Sequence, residues 1–168
     1  MKMRPATLGD IPAIEALAMD TFAEQGSSPI DWALNAVLRK SIVSGYESRI
    51  KINEKSEGLD HSVILLTDDF EAETDVFSGL RGTIELSMQP TTGETAPSMP
   101  IPMKRKLQQG EVKPYISNLV VAPRFRRRGF GKKLVEACEA KAVALGFSEV
   151  YLHGGMHVYD CGSLLHYA

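Results

Sequence analysis

The densest chemical signal in the chain lies between residues 114 and 145. A strand-like run, Pro114 to Val121, passes through Ala122 to Arg128 into Gly129-Phe130-Gly131 and then into a helical pattern. Glycines at 129 and 131 remove side chains where main chain must approach a ligand, which leaves amide N–H groups free to point at it. The first turn of the helix adds unpaired N–H donors and the positive end of the helix dipole, so the unit makes an anion site suited to phosphate. Arg124, Arg126, Arg127, Arg128, Lys132 and Lys133 place six cations within ten residues, enough to attract a small polyanion. A pyrophosphate-bearing coenzyme is the natural ligand. The segment is not a dinucleotide fingerprint, because Gly-x-Gly-x-x-Gly is absent and no acid ends a following strand at the right distance. It is not a P-loop either, since Lys132 is followed by Lys133 rather than Ser or Thr.

The rest of the chain limits the alternatives. Its 168 residues, 43% hydrophobic and 24% charged, suit one soluble α/β domain. The formal net charge of −2 argues against non-specific nucleic-acid binding, as does the absence of RNP-type aromatics or a recognition-helix motif. No apolar run approaches the roughly 20 residues of a membrane span. The opening Met-Lys-Met-Arg-Pro-Ala-Thr carries no apolar signal region and no Arg/Ser-rich leader, so a soluble intracellular protein is expected, cytoplasmic, or plastid if a transit peptide has been removed. Cys138 and Cys161 have no disulfide or metal spacing, and His153, His157 and His166 match no ligand pattern, so no metal is expected.

The elements that must position the glycine turn read as strands flanked by helices. Met3 to Ala6 is a short strand, after which Thr7 and Asp10 form a capping box for a helix that buries Ile11, Ile14, Leu17, Ala18 and Phe22. Gln25 to Pro29 is a break. Leu34, Val37, Leu38 and Ile42 make a second helix ending at Gly45, with Trp32 near its start as a core or lid residue. Lys51 to Asp60 is polar, Ser62 to Thr67 is a strand, and Asp68 to Asp75 is an acidic turn. From Leu80 to Met88, Leu80, Gly82, Ile84, Leu86 and Met88 point one way and Arg81, Thr83, Glu85 and Ser87 the other, a strand with one polar face. Gln89 to Lys113 reads as a long solvated loop containing Lys104 to Lys106. Leu134, Val135, Cys138, Ala142 and Leu145 form the buried stripe of the last helix, which stops at Gly146 before a strand over Glu149 to Leu152.

The strand and turn together, Tyr-Ile-Ser-Asn-Leu-Val-Val-Ala-Pro-Arg-Phe-Arg-Arg-Arg-Gly-Phe-Gly-Lys-Lys-Leu, resemble the GNAT N-acetyltransferase superfamily, whose acyl-CoA motif is Arg/Gln-x-x-Gly-x-Gly/Ala. Met-Arg-Pro-Ala-Thr-Leu-Gly-Asp-Ile, Gly-Thr-Ile-Glu-Leu and Gly-Phe-Ser-Glu-Val-Tyr-Leu-His resemble that family's first, third and fifth strand regions, so the resemblance covers most of residues 1 to 153. The run is most similar to plastid-type acetyltransferases that modify protein lysines and amino termini.

The resemblance implies a mixed, mostly antiparallel sheet flanked by helices, with strands splayed at the acyl-CoA site. It implies that Leu119, Val120 and Val121 hold the pantetheine arm of acetyl-CoA, and that Arg126, Arg127, Arg128, Gly129, Phe130, Gly131 and Lys132 surround its diphosphate. It further implies direct transfer to a primary amine in a ternary complex, the acceptor being a protein lysine, an amino terminus or a small amine. Glu85, on the strand bordering the acceptor cleft, is the candidate general base, direct or through water, with Asn118 or Ser117 orienting water or substrate. The expected tyrosine acid has no match in spacing, which leaves Tyr159 or Tyr167 as stand-ins. The domain pattern reads as cut short after about residue 153, with no sequence for the family's last two strands. The competing readings are a catalytically impaired acyl-CoA-binding module and a basic-patch nucleic-acid binder.

Overall fold

A computed structural model describes residues 2–23, 26–55, 61–67, 79–90, 112–152 and 157–160. Strand β1 (Lys2–Pro5) leads through a single 3-10 turn, Leu8–Asp10, into helix α1 (Ile11–Phe22). The Thr7–Asp10 capping box forms, with the Thr7 amide and hydroxyl both donating to Asp10 Oδ2 at 2.8 Å. It caps the 3-10 turn, and Arg4 clamps the same carboxylate at 2.5 and 2.7 Å, tying β1 to the start of α1. Arg4 and the two Thr7 bonds hold the Asp10 carboxyl below its usual range, against the opposing effect of partial burial.

Helix α2 (Pro29–Lys55) is much longer than its apolar spacing predicts. It begins with a second capping arrangement: the Ser28 amide and hydroxyl donate to Asp31 Oδ2, the Asp31 amide donates back to Ser28 Oγ, and Pro29 occupies the first helical position. Gly45 does not stop it, because Tyr46, Arg49 and Ile50 continue the buried face for another two turns, and core burial outweighs the roughly 1 kcal/mol propensity cost of one glycine. Trp32, expected in the core or a lid, is 76% exposed, and Phe22 is 56% exposed at the end of α1.

Six strands follow the order β1-β2-β3-β4-β5-β6, with β2 (His61–Thr67), β3 (Leu80–Pro90), β4 (Val112–Val121), β5 (Glu149–Leu152) and β6 (His157–Asp160). All neighbours are antiparallel except β4 and β5, which are joined through helix α3 (Phe130–Ala144) and pair in parallel. Strand β6, paired with β5, had no counterpart in the sequence pattern; it adds one strand after the fifth. α3 ends in a Schellman arrangement, with the Gly146 amide on the Val143 carbonyl, the Phe147 amide on the Ala142 carbonyl, and Gly146 at φ +89°.

Two cores lie on opposite faces of the sheet. Ile14 and Leu17 of α1 and Tyr46 and Ile50 of α2 pack with Leu65, Leu80 and Val120 on one side. Leu134, Cys138 and Ala142 of α3 pack with Leu66, Ile84, Leu86, Met88, Ile116 and Val150 on the other. β3 is therefore covered on both faces, and its supposedly polar face is buried: Arg81, Thr83, Glu85, Ser87 and Gln89 are all below 9% exposure. Leu80 also changes sides, because a register shift at Leu66/Thr67 leaves Arg81 unmatched and inverts the alternation before Gly82. Among the described residues, no helix is long and apolar enough to cross a membrane.

Candidate functional site

The site is organised by the carboxyl-terminal half of β4. Glu85 pairs with Ser117 and Thr83 with Val120, so Asn118 and Leu119 together oppose the single residue Ile84. This bulge puts Asn118 at φ +51°, a backbone conformation that Asn tolerates better than most residues. It also brings Leu119 to 44% exposure while Val120, at 3%, keeps its side chain in the core. β4 and β5 are in register only at Tyr115–Tyr151 and Ile116–Leu152, so residues 117–121 have no partner on their β5 side among the described residues.

After β4 the chain makes one 3-10 turn, Pro123–Phe125, and reaches Gly129, which caps α3 at φ +75°. Only glycine adopts that conformation freely, and a Cβ built there would meet nothing within 4 Å, so the position opens onto free space. Gly131 faces β4, where a Cβ would lie 3.9 Å from both Leu119 Cδ2 and Val121 Cγ2. The Lys133 amide is the first to close a helical bond, to the Gly129 carbonyl at 3.2 Å. The amides of Phe130, Gly131 and Lys132 thus belong to the unpaired first turn, at the positive end of a helix of 15 residues. Main-chain donors, an open cradle and a neighbouring strand edge come together here, which is the chemistry of a phosphate site continued by a hydrogen-bonding groove.

The cations divide by role. Arg126 donates from Nε to the Val121 carbonyl at 3.0 Å, so its side chain fastens the turn to the end of β4. Arg81, Arg124 and Arg128 lie 4.2, 4.9 and 5.7 Å from the Phe125 ring centre. Phe125 packs in turn against Phe130 at 6.1 Å, which makes Phe130 part of the wall beneath the cradle. Arg127, at φ +61°, and Lys132 are exposed beside it.

On the α2 side of the bulge lies a buried polar cluster. Glu85 is fully buried; its Oε1 accepts from Asn118 Nδ2 at 2.8 Å and from Arg49 Nη2 at 3.1 Å, while Oε2 is ion-paired with Arg49 Nε at 2.8 Å. The guanidinium also lies 4.6 Å from the Tyr46 ring centre. Burial, and then the negative charge of Glu85, push the Tyr46 hydroxyl far above its usual range, so it stays protonated. Tyr46, Arg49 and Asn118 line a cavity of about 370 Å³ together with Ala18, Phe22, Leu38 and Ile42.

Of the residues singled out by sequence, Glu85 and Asn118 are brought into contact, and Gly131 faces Leu119 and Val121 while Gly129 is open two residues before it. Tyr46 and Arg49 were missed; the signal available was helical spacing continuing past Gly45. Tyr167, His153, His166, Cys161 and the segment with Lys104 to Lys106 lie outside the described residues. The main chain of Tyr159 pairs with Val150 in β6. Among the described residues no group of acidic, His and Cys side chains could hold a metal.

The Acetyltransferase (GNAT) family model matches residues 47–162, more than half of the chain and all of the strand-turn-helix unit. The chain belongs to the GNAT acetyltransferase family. It is 30% identical over 123 residues to the chloroplastic GCN5-related N-acetyltransferase 5 of Arabidopsis thaliana, a match covering 66% of this chain but only 36% of that relative's length. Among solved structures it resembles glucosamine-6-phosphate N-acetyltransferase from Arabidopsis thaliana, with a TM-score of 0.55, 16% identity, and 92% of this chain and 82% of that chain covered. It also resembles an acetyltransferase from Trypanosoma brucei, at TM-score 0.54, 15% identity and coverage of 92% and 82%. A third similar structure is the aminoglycoside 6'-N-acetyltransferase of Acinetobacter haemolyticus, at TM-score 0.53, 12% identity and coverage of 93% and 81%. At these identities the likeness speaks for a GNAT fold: a mixed, mostly antiparallel open sheet flanked by helices.

Proposed function

We propose that this GNAT chain transfers an acetyl group from acetyl-CoA to a primary amine by direct attack with both substrates bound, the amine belonging to a polypeptide or a small molecule. The observation that carries this reading is the open, left-handed Gly129 cap close to the exposed Leu119 of β4. A Cβ would fill that cradle, and the chain keeps it bare. The amides of residues 129–132 would take the diphosphate of the coenzyme, with Arg127, Arg128 and Lys132 supplying charge around it. The main chain at Leu119, Val120 and Val121 would take the pantetheine arm, placing the bulge next to the reacting end. Acetyl-CoA supplies an activated thioester; the rest of the chemistry is positioning and proton handling by the protein.

Glu85 is proposed as the general base, direct or through a water at Asn118, from whose amide it accepts at 2.8 Å; Arg49, ion-paired with it at 2.8 Å, orients the carboxylate. Tyr167 is proposed as the donor to the leaving sulfur. A covalent acyl-cysteine route has little support at Cys138, which is fully buried with its thiol pushed up to about 12 by burial. The plastid assignment of the Arabidopsis relative makes a plastid a reasonable compartment to test by expressing the full-length protein as a fluorescent fusion.

The test is titration of the purified chain with acetyl-CoA, followed by free-thiol release with a panel of peptide and small amines. Saturable binding and amine-dependent thiol release are expected, and Tyr167→Phe should lower turnover. Binding without turnover would mark a coenzyme-binding module instead. An absence of binding, with Gly129→Glu no worse than the parent chain, would overturn the proposal.

A further inference from the structure

We infer that Gly45 and Tyr46 are positioning residues, together forming the seat that holds the Arg49 guanidinium against Glu85, an inference that rests on Glu85 being the base.

A glycine inside a helix of 27 residues weakens it relative to alanine. The space around Gly45 shows what the missing side chain leaves room for. A Cβ built there would lie 2.9 Å from Arg49 Nη1, 3.4 Å from Nη2 and 3.5 Å from Cζ. The first of these is closer than van der Waals contact allows. The Arg49 side chain thus folds back along its own helix and lays its tip over the bare backbone of residue 45, one turn earlier. Tyr46 makes the other side of the seat, with its ring centre 4.6 Å from Arg49 Cζ, within cation–π range. Tyr46 and Arg49 are both buried, at 5% and 6% exposure.

Held in this way, the guanidinium presents a fixed planar fork to β3. Nε meets Glu85 Oε2 at 2.8 Å and Nη2 donates to Oε1 at 3.1 Å. Two contacts from one rigid fork set both the position and the plane of a carboxylate. From β4, Asn118 donates to the same Oε1 at 2.8 Å. Glu85 is therefore oriented from two elements, and the hold from α2 depends on the seat.

An added methyl at residue 45 must displace the tip of Arg49, which is the part bound to Glu85. Because that tip ends a flexible side chain, the helix can stay intact while the fork turns away. Stability and turnover then respond in opposite directions. Alanine is the better helix former, yet it unseats the group that orients the base.

The experiment measures kcat at saturating amine, the Kd for acetyl-CoA and Tm, using the best acceptor from the amine panel above. Gly45→Ala is expected to lower kcat by about 10-fold, since small misplacements of reacting groups are costly, while the Kd stays the same and Tm does not fall. Tyr46→Phe keeps the ring and should hold kcat within about 3-fold of the parent, whereas Tyr46→Leu should lower it by about 10-fold or more. If Gly45 acts through Glu85, Gly45→Ala/Glu85→Gln should have a kcat within about 2-fold of Glu85→Gln alone. Should Glu85→Gln not fold, Arg49→Met/Glu85→Gln, which removes both charges, serves as the background, and Gly45→Ala should again add nothing. Parental kcat in Gly45→Ala, a loss of kcat that only follows a fall in Tm, equal effects of the two Tyr46 changes, or a further 10-fold loss on top of Glu85→Gln overturns the inference and leaves Glu85 standing as base. Parental kcat in Glu85→Gln itself removes the base reading, and this inference with it.

Discussion

Replacing Arg49 by Met tests whether the Glu85 cluster is held as an ion pair. The two side chains are 7% and 0% exposed and meet at 2.8 Å, so the substitution leaves a carboxylate in the interior without its cation, beside the Asn118 amide and the Tyr46 hydroxyl. Removing one partner of such a pair costs about 3 to 5 kcal/mol, much of it the penalty of the stranded charge. For a chain of this size each kcal/mol moves Tm by about 2–4 °C, so a fall of about 6–20 °C is expected in a thermal melt. The double variant Arg49→Met/Glu85→Gln removes both charges and should recover at least about 2 kcal/mol relative to the sum of the single changes, read from urea denaturation. A single-variant loss under about 1 kcal/mol, or strict additivity, would show that the pair is not the buried, mutually dependent unit described.

Three further outcomes follow from local geometry. Asp10 is held below its usual range in the folded chain, so the stability it contributes is present above about pH 4 and is lost as pH falls through the folded-state value; the gap between parent and Asp10→Asn in urea melts should be full at pH 7 and close towards pH 2. Gly129→Ala should cost about 1–2 kcal/mol because of its left-handed backbone, whereas Gly131→Ala, with its Cβ at ordinary contact distance, should cost under about 1 kcal/mol. Cys138, buried with its thiol raised to about 12, should resist maleimide at pH 7.5 in the native chain and react on unfolding, as read by peptide mass mapping.

The parts of this fold that could be read from sequence are those where a local rule and the packing agree. The Arg126-x-x-Gly129-x-Gly131 turn, the α3 stripe with its Gly146 stop and the Thr7–Asp10 box are each specified within a few residues, and tertiary structure leaves them in place. The misreadings came where distant elements decide. Gly45 looked like a stop because the partner of Arg49 lies 36 residues away, on a different strand. Glu85 looked like the polar face of a half-exposed strand because alternation does not say that α1 and α2 cover it. Alternation alone puts Leu80 on the wrong face, because Arg81, which has no register partner on β2, inverts the period. Asn118 reads from sequence as a polar residue near the site, but the bulge that turns it depends on the register with β3 and leaves no mark in sequence.

The central claim is that bare amides at the start of α3 hold the coenzyme's diphosphate. Titration of uniformly ¹⁵N-labelled chain with coenzyme A, followed amide by amide, tests it most directly. Saturable shifts are expected, concentrated on Gly129, Phe130, Gly131 and Lys132, with a second group at Leu119 to Val121. Shifts confined to other parts of the chain, or none at saturating coenzyme, would contradict it.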